Sequence, residues 1–571
     1  MKSFCTVLSE AAAAHPEKRL FIFPENRWRG EEYLTYGGLA SGAAAAAQVL
    51  TEFTHVGDRV LLMFATGNAF WESFMGCLAR GAIAVPLNIP NLNRVSEELD
   101  QVCKDCNPAA LLMDDKTAEL LRKRADKHPL LSKIPVITPN SWQESRAGFN
   151  SKSVNENQIA FLQYTSGSTS NPKAVQVSHG NLFTNSDMIQ DQMRIRTAED
   201  LAVTWLPHYH DMGLVGGYLG TMFARITSWC LQPEDFALEP AKWLRLISQH
   251  RGTVCGGPDF AYRACVDKVK DEQLENVDLS SWRVAFVGAE RIHADTIRRF
   301  TDRFSSYGFR QKSFFPCYGL AEATLMVCGG PTESVPEIRS VSADALMQDK
   351  LLPPTYEADC TELVSSGQTF DGCEVIILDT ESDEPLPDDR IGEVCVAGDA
   401  VTCGYFNDDE ANRTLFKNTQ INDQSLKLLR TGDLGFLSNG ELFITGRSKE
   451  LIIIRGRNFY PDDIEQKASI SHEALSPGGT VAFSTELHGE ESLVIAAELR
   501  RTAIRTENPE TIFPAIRHQI VDAFGVSPAA IILLRTASIP RTSSGKPKRM
   551  LVRERFINGT IDGVCDDRDL K

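Results

Sequence analysis

The stretch Ile159-Ala160-Phe161-Leu162-Gln163-Tyr164-Thr165-Ser166-Gly167-Ser168-Thr169-Ser170-Asn171-Pro172-Lys173-Ala174-Val175 joins an apolar run to a loop rich in hydroxyl side chains. Ile159 to Tyr164 reads as a buried strand. The loop that follows suits a polyphosphate, because Ser, Thr and Gly let backbone amides and hydroxyls converge on anionic oxygens. Lys173 adds a flexible point charge, and Asn171-Pro172 stiffens the exit. The pattern Gly-x-x-x-x-Gly-Lys-Ser/Thr occurs nowhere in the chain, which removes the commonest NTPase reading. Taken alone, such a loop is also an ordinary solvated linker. Other segments decide.

Outward from this loop, the chain alternates short apolar strands with helix-length amphipathic segments. Arg59 to Phe64 is followed by Trp71 to Arg80 and then by Ala82 to Pro86, and the rhythm returns at Ala110 to Met113, Val136 to Thr138 and Arg283 to Val287. This is the grammar of βαβ units and predicts α/β architecture with doubly wound sheets. Between Pro331 and Gly372 the text turns irregular, with Leu352-Pro353-Pro354 and Ser365-Ser366-Gly367, before strands resume at Glu374 to Leu378 and Glu393 to Ala397. A β-rich subdomain with an insertion is therefore expected over about 331–447. After Arg447 the pattern Leu451 to Ile454, then a helix, then Thr480 to Phe483 and Leu493 to Glu498, predicts a small α+β module. The expected division is a large N-terminal domain of 1–447 and a mobile C-terminal domain of 448–571.

At 571 residues the chain exceeds what one core supports, so more than one domain is required. A formal net charge of −17 opposes general affinity for nucleic acid or anionic membrane, so an anionic ligand must meet a local positive site. No apolar run is long enough to span a bilayer, and Glu10 and Glu17 interrupt the opening segment where a signal peptide would need its apolar centre. A cytoplasmic protein that is not integral to a membrane is expected. The 14 cysteines are scattered, which favours reduced thiols. Cys103 and Cys106 form a C-x-x-C pair without the second pair or histidine that a zinc site needs.

Five further segments carry chemistry. Trp205 to Gly213 holds His208 and His210, but Met212 and Gly213 break the metallohydrolase pattern; His210 at the mouth of a pocket, contacting a carboxylate substrate, competes with a structural role. Glycines 213, 216, 217 and 220 either leave room for an apolar substrate or allow close packing. Phe315 to Glu322 offers Tyr318 for stacking on a base and Glu322 for a metal ion bound to phosphates, against the alternative of a strand end with a surface Glu. Asp433, within Arg430-Thr431-Gly432-Asp433, suits paired ribose hydroxyls or marks a common turn. Arg447 adds a fixed cation, and Pro540 to Arg549 is a basic loop with Lys546 on a glycine pivot, or else a solvated charge run.

Together, and in this order, the blocks Leu162 to Thr169, Trp205 to Leu214, Cys317 to Ala323 and Arg447 to Ile453 resemble the adenylate-forming, AMP-binding enzyme superfamily from about Gly57 to Arg549, and within it the fatty acyl-AMP ligases. Ser170 and Ala174 stand where the superfamily loop usually has glycines. The resemblance implies ATP and Mg²⁺, and activation of a fatty acid to an acyl-adenylate with release of pyrophosphate. It assigns Thr165, Ser166, Gly167, Ser168, Thr169 and Lys173 to the β- and γ-phosphates, and Thr165 and Glu322 to Mg²⁺. Gly288, Ala289 and Glu290 with Tyr318, Gly319 and Leu320 would enclose adenine, Asp433 the ribose, and Arg447 the ribose or phosphate. Lys546 would bridge the carboxylate and the α-phosphate. Lys449 falls at the family's hinge.

The same resemblance implies transfer of the acyl group to the phosphopantetheine thiol of a separate acyl carrier protein or synthase carrier domain. Lys546, Lys548, Arg549, Arg553 and Arg555 are candidates for docking it. The irregular stretch after Pro331 falls where the family carries an insertion held to hinder the rotation that coenzyme A chemistry needs. Two rivals remain at this level: an acyl-CoA synthetase, and a non-catalytic nucleotide or lipid sensor on the same scaffold.

Overall fold

The computed structural model describes the chain except residues 1, 26–29, 143–147, 150–153, 166–171, 422–423, 488–489, 506–507, 543–544 and 568–571. Ser166, Gly167, Ser168 and Thr169 therefore lie outside the described residues. The fold is α/β, with a large sheet-rich N-terminal domain and a separate C-terminal domain.

The first sheet runs, in spatial order, Val136–Ile137, Ala110–Met113, Arg59–Met63, Ile83–Pro86, Ile159–Thr165 and Lys173–Ser178. Its pairs are parallel until the last, where Lys173–Ser178 runs antiparallel to Ile159–Thr165, with Thr165 opposite Lys173. Ala174 is buried in that pairing, opposite Tyr164. A second sheet has a parallel centre, Thr227–Cys230, Leu201–Thr204, Val254–Pro258, Val284–Gly288 and Phe314–Gly319. It continues as an antiparallel region through Met326–Gly329, Cys360–Thr369, Glu441–Arg447, Gln424–Ser438, Gly392–Gly398 and Cys373–Leu378. The two sheets share a core in which Trp71 packs on Phe21 and Tyr218 at ring separations of 4.9 and 4.8 Å.

The stretch after Pro331 is more ordered than its texture suggests. Ile338–Ser342 pairs antiparallel with the ten-residue strand Cys360–Thr369, and a short helix, Ala343–Leu346, lies between them. Pro353 and Pro354 fall between these elements, while Ser365 and Ser366 lie within the long strand and are buried with Leu363 and Val364. Met347, just past the helix, is buried in the C-terminal domain's core with Ile452, Phe459 and Ile464.

The C-terminal domain pairs Leu475–Leu487, Glu490–Leu499, Ala530–Leu534 and Gly563–Asp566 in one sheet, with a hairpin of Ile452–Ile454 and Arg457–Phe459 beside it. Helices Pro461–Ser469 and Pro509–Phe524 cover one face and Arg549–Ile557 the other. Among the described residues, no helix is long and apolar enough to cross a membrane.

Candidate active site

Parallel strands deliver side chains and helix or loop beginnings to their carboxyl ends, which is where open α/β sheets bind ligands. A cavity of about 2120 Å³ opens there, between the N- and C-terminal domains. Thr165 reaches it from the end of Ile159–Thr165, Ala289 and Glu290 from the loop after Val284–Gly288, and Tyr318 to Glu322 from the end of Phe314–Gly319. His210, Asp433, Arg447 and Lys546 complete the group.

Glycines explain how closely these segments approach. A Cβ on Gly319 would lie 1.7 Å from the Leu325 carbonyl oxygen, and one on Gly288 would lie 2.4 Å from that of Cys317. Gly288 thus packs the strand rather than facing the cavity, and Ala289 behind it takes a positive φ of 65° that turns the loop. Glu290 Oε1 accepts the Phe260 amide at 2.7 Å, which fixes that turn from inside.

Asp433 lies in a long strand, not in a surface turn. Its Oδ2 accepts from the Tyr318 hydroxyl at 2.7 Å and its Oδ1 from Arg447 Nε at 2.8 Å. One carboxylate, 115 residues from its tyrosine, thereby fixes both an aromatic face and a cation. Asp433 first, with Glu450 behind it, outweighs the opposing cost of burial and raises the Arg447 pKa, so the guanidinium keeps its charge.

Glu322 is no surface carboxylate. It faces the cavity and accepts a hydrogen bond from the Tyr405 hydroxyl. Enclosure pushes its pKa up, only partly offset by Tyr405 and Arg447. Tyr405 and its neighbour Asp408 were not picked out from the sequence, although Gly404-Tyr405-Phe406 beside a run of acidic residues is a usable signal. Lys173 Nζ sits 5.1 Å from the Tyr405 ring centroid and pairs with Asp408 at 2.9 Å. It is thus one side chain removed from Glu322 and held by an acid rather than pointing free.

His210 Nδ1 lies 2.6 Å from Asp211 Oδ1 at the cavity wall. Burial alone would raise the Asp211 pKa, but His210, the Met212 amide and Lys546 hold it below the usual carboxylate range. His208 has a different fate: it is buried against Thr66 Oγ1 at 2.9 Å and burial pulls its pKa down to about 3. After Asp211 the backbone widens into a π-helical segment, Met212–Leu219. Gly213 serves close packing, since a Cβ there would meet the Pro207 carbonyl oxygen at 2.0 Å.

Lys546 enters this cavity from the C-terminal domain. Desolvation and the repulsion of Arg447 lower its pKa, while Glu290, Asp211 and Asp433 act in the opposite sense. Its loop is short and tied, with the Thr542 amide donating to the Lys546 carbonyl at 2.8 Å and the Lys546 amide to Thr542 Oγ1 at 3.1 Å. Lys546 is therefore not a docking cation. Nor is Arg549, whose guanidinium meets Glu465 Oε1 at 2.6 Å, Glu450 Oε2 at 2.5 Å and Asp462. Lys449 stands exposed between Arg447 and that network, outside the cavity lining.

Among the described residues no group of three or more His, Cys, Asp or Glu side chains is placed to hold a metal by itself. A cation here would take Glu322 and draw its remaining ligands from substrate oxygens and water, which is how Mg²⁺ is commonly held at phosphate-transfer sites. The enclosed Glu322, whose charge its surroundings oppose, fits such a counter-ion.

This strand-end cleft, closed by a lysine from a second domain, has the form of an adenylating site, and the chain belongs to the AMP-binding enzyme family, whose sequence profile matches residues 8–406. It is 34% identical over 95% of its length to the medium-chain-fatty-acid–acyl-carrier-protein ligase JamA of Moorena producens, covering 93% of that protein. A solved structure from a study of fatty acyl-adenylate ligases of E. coli and L. pneumophila superposes with a TM-score of 0.87, at 34% identity and 98% coverage of both chains. The fatty acyl-adenylate ligase of L. pneumophila in complex with acyl adenylate and pyrophosphate is also 34% identical, with a TM-score of 0.76 and coverage of 99% of this chain and 98% of that one.

Proposed function

We propose that this enzyme activates a fatty acid with ATP to an acyl-adenylate and passes the acyl group to the phosphopantetheine thiol of a separate acyl carrier protein. The observation that carries the reading is the convergence of Lys546, from the C-terminal domain, with Tyr318, Asp433, Arg447 and Glu322 on one cavity. In the first step a carboxylate oxygen of the fatty acid attacks the α-phosphorus of ATP and pyrophosphate leaves. No general base is required, because the acid is already ionised, so catalysis rests on positioning and on charge.

Each residue then has a definite task. Tyr318 and the Ala289-Glu290 turn flank the adenine, and Asp433 accepts from the ribose hydroxyls. Arg447 and Lys546 meet the α-phosphate, Lys546 also contacting the incoming carboxylate, with His210 at the same end. Lys173 exchanges Asp408 for the β- and γ-phosphates, alongside Thr165 and the loop 166–169. Mg²⁺ would be held by Glu322 and Thr165 together with phosphate oxygens, and would neutralise charge on the leaving pyrophosphate.

For the second step the C-terminal domain turns about Lys449, withdrawing Lys546 so that a thiol reaches the acyl carbon and AMP leaves. Met347, seated in the core of the moving domain, ties that domain to the stretch after Pro331. Lys548, Arg553 and Arg555 remain as docking cations for an acidic carrier, at a cavity mouth that also exposes Ile557. Incubating the enzyme with ATP, a panel of fatty acids and either a holo carrier protein or coenzyme A tests this reading. Acyl-carrier product in large excess over acyl-CoA supports it, whereas rapid acyl-CoA formation makes the protein an acyl-CoA synthetase.

A further inference from the structure

We propose that Arg291 and Asp463 form an interdomain latch that positions Lys546 for adenylation, an inference that rests on the functional reading above. Arg291 follows Glu290 in the N-terminal domain, on the same turn that lines the cavity. Its NH1 donates to Asp463 Oδ1 at 2.7 Å, across the boundary between the two domains. The side chains are 9% and 20% exposed, so solvent and salt screen the pair far less than a surface ion pair.

From Asp463 the connection continues to the reacting lysine. Asp463 lies in the first turn of helix Pro461–Ser469, where acidic side chains also complement the helix dipole. Asp462 and Glu465 of that same helix grip Arg549, the Glu465 contacts being 2.6 and 2.9 Å. Arg549 opens the helix Arg549–Ile557 and lies directly beyond the tied loop that presents Lys546. Charge pairs thus run from the cavity's own turn, through one helix, to Arg549, three residues beyond the lysine.

Each domain packs its own hydrophobic core, so the pair joins two units rather than building either one. Rotation about Lys449 carries Asp463 away with the C-terminal domain, so the pair exists only in the orientation that places Lys546 in the cavity. Arg291 and Asp463 are positioning residues acting through Lys546.

The test uses full-length Arg291→Ala, Asp463→Ala, the double variant and Arg291→Lys. Two rates are read: fatty-acid-dependent pyrophosphate release, and transfer from supplied acyl-adenylate to free pantetheine. Each alanine variant should lower kcat for pyrophosphate release about 10- to 100-fold with little change in KM for ATP. The double variant should be no worse than either single one, and Arg291→Lys should recover most of the loss. Transfer from supplied acyl-adenylate should proceed at the unsubstituted rate or faster. Unchanged pyrophosphate release in the single variants, multiplying losses in the double variant, or parallel loss of both rates would each overturn the latch alone. Absence of fatty-acid-dependent release from the unsubstituted enzyme would overturn the functional reading as well, and shows before any variant is compared.

Discussion

Arg447 and Asp433 face each other directly across two antiparallel strands, and the guanidinium Nε donates to the carboxylate at 2.8 Å. Arg447 is the last residue of its strand before the Ser448–Glu450 turn into the C-terminal domain. The carboxylate assigned to the ribose therefore also anchors the start of the hinge.

Removing that carboxylate tests the ribose assignment. Asp433→Ala takes away an ionised acceptor and leaves Tyr318 and Arg447 without their partner. KM for ATP should rise about 10- to 100-fold, the scale of a hydrogen bond to a charged group. Steady-state pyrophosphate release at varied ATP reads this, and an unchanged KM would remove Asp433 from the nucleotide.

The pH dependence of adenylation should carry the signature of Lys546. Its charge is needed, and its pKa is lowered by enclosure and by Arg447, so the active cation is full at low pH and lost as pH rises through that lowered value. The alkaline limb should begin below the ordinary lysine value of about 10.4. Lys546→Arg, which does not deprotonate, should move the limb upward. An alkaline limb identical in the two enzymes would assign it to another group.

Lys449→Pro should spare pyrophosphate release and impair acyl transfer, because a fixed φ at an exposed hinge restricts rotation without touching the cavity. The two half-reactions, timed separately, decide it. Equal loss in both would mean that Lys449 is not a pivot.

Strands such as Ile159–Thr165 and Ala110–Met113 were legible because buried parallel strands are short apolar runs between amphipathic helices. Cys360–Thr369 was not, since Ser365, Ser366 and Gly367 are turn formers that a sheet tolerates when they are buried and hydrogen bonded, as the Gly367 amide is to Ser365 Oγ at 2.9 Å. At the site, Tyr318, Glu322, Asp433 and Lys546 were each ambiguous, and only a resemblance of ordered motifs drew them together. Contacts between distant segments, such as Tyr405 with Glu322 and Arg291 with Asp463, leave no periodic trace. Arg549 stood among the docking candidates because nothing local announces its acids, although Asp462 and Glu465 have the three-residue spacing that puts both on one helix face.

If these dispersed residues form one site for adenylating a lipid acid, pyrophosphate release depends on both the fatty acid and Lys546. With ATP, Mg²⁺ and a fatty acid the enzyme should release pyrophosphate, release should cease when the fatty acid is omitted, and Lys546→Ala should be slower by about 10² to 10³. No release, release indifferent to the fatty acid, or a Lys546→Ala variant at the unsubstituted rate would mean that these residues do not form an adenylating site.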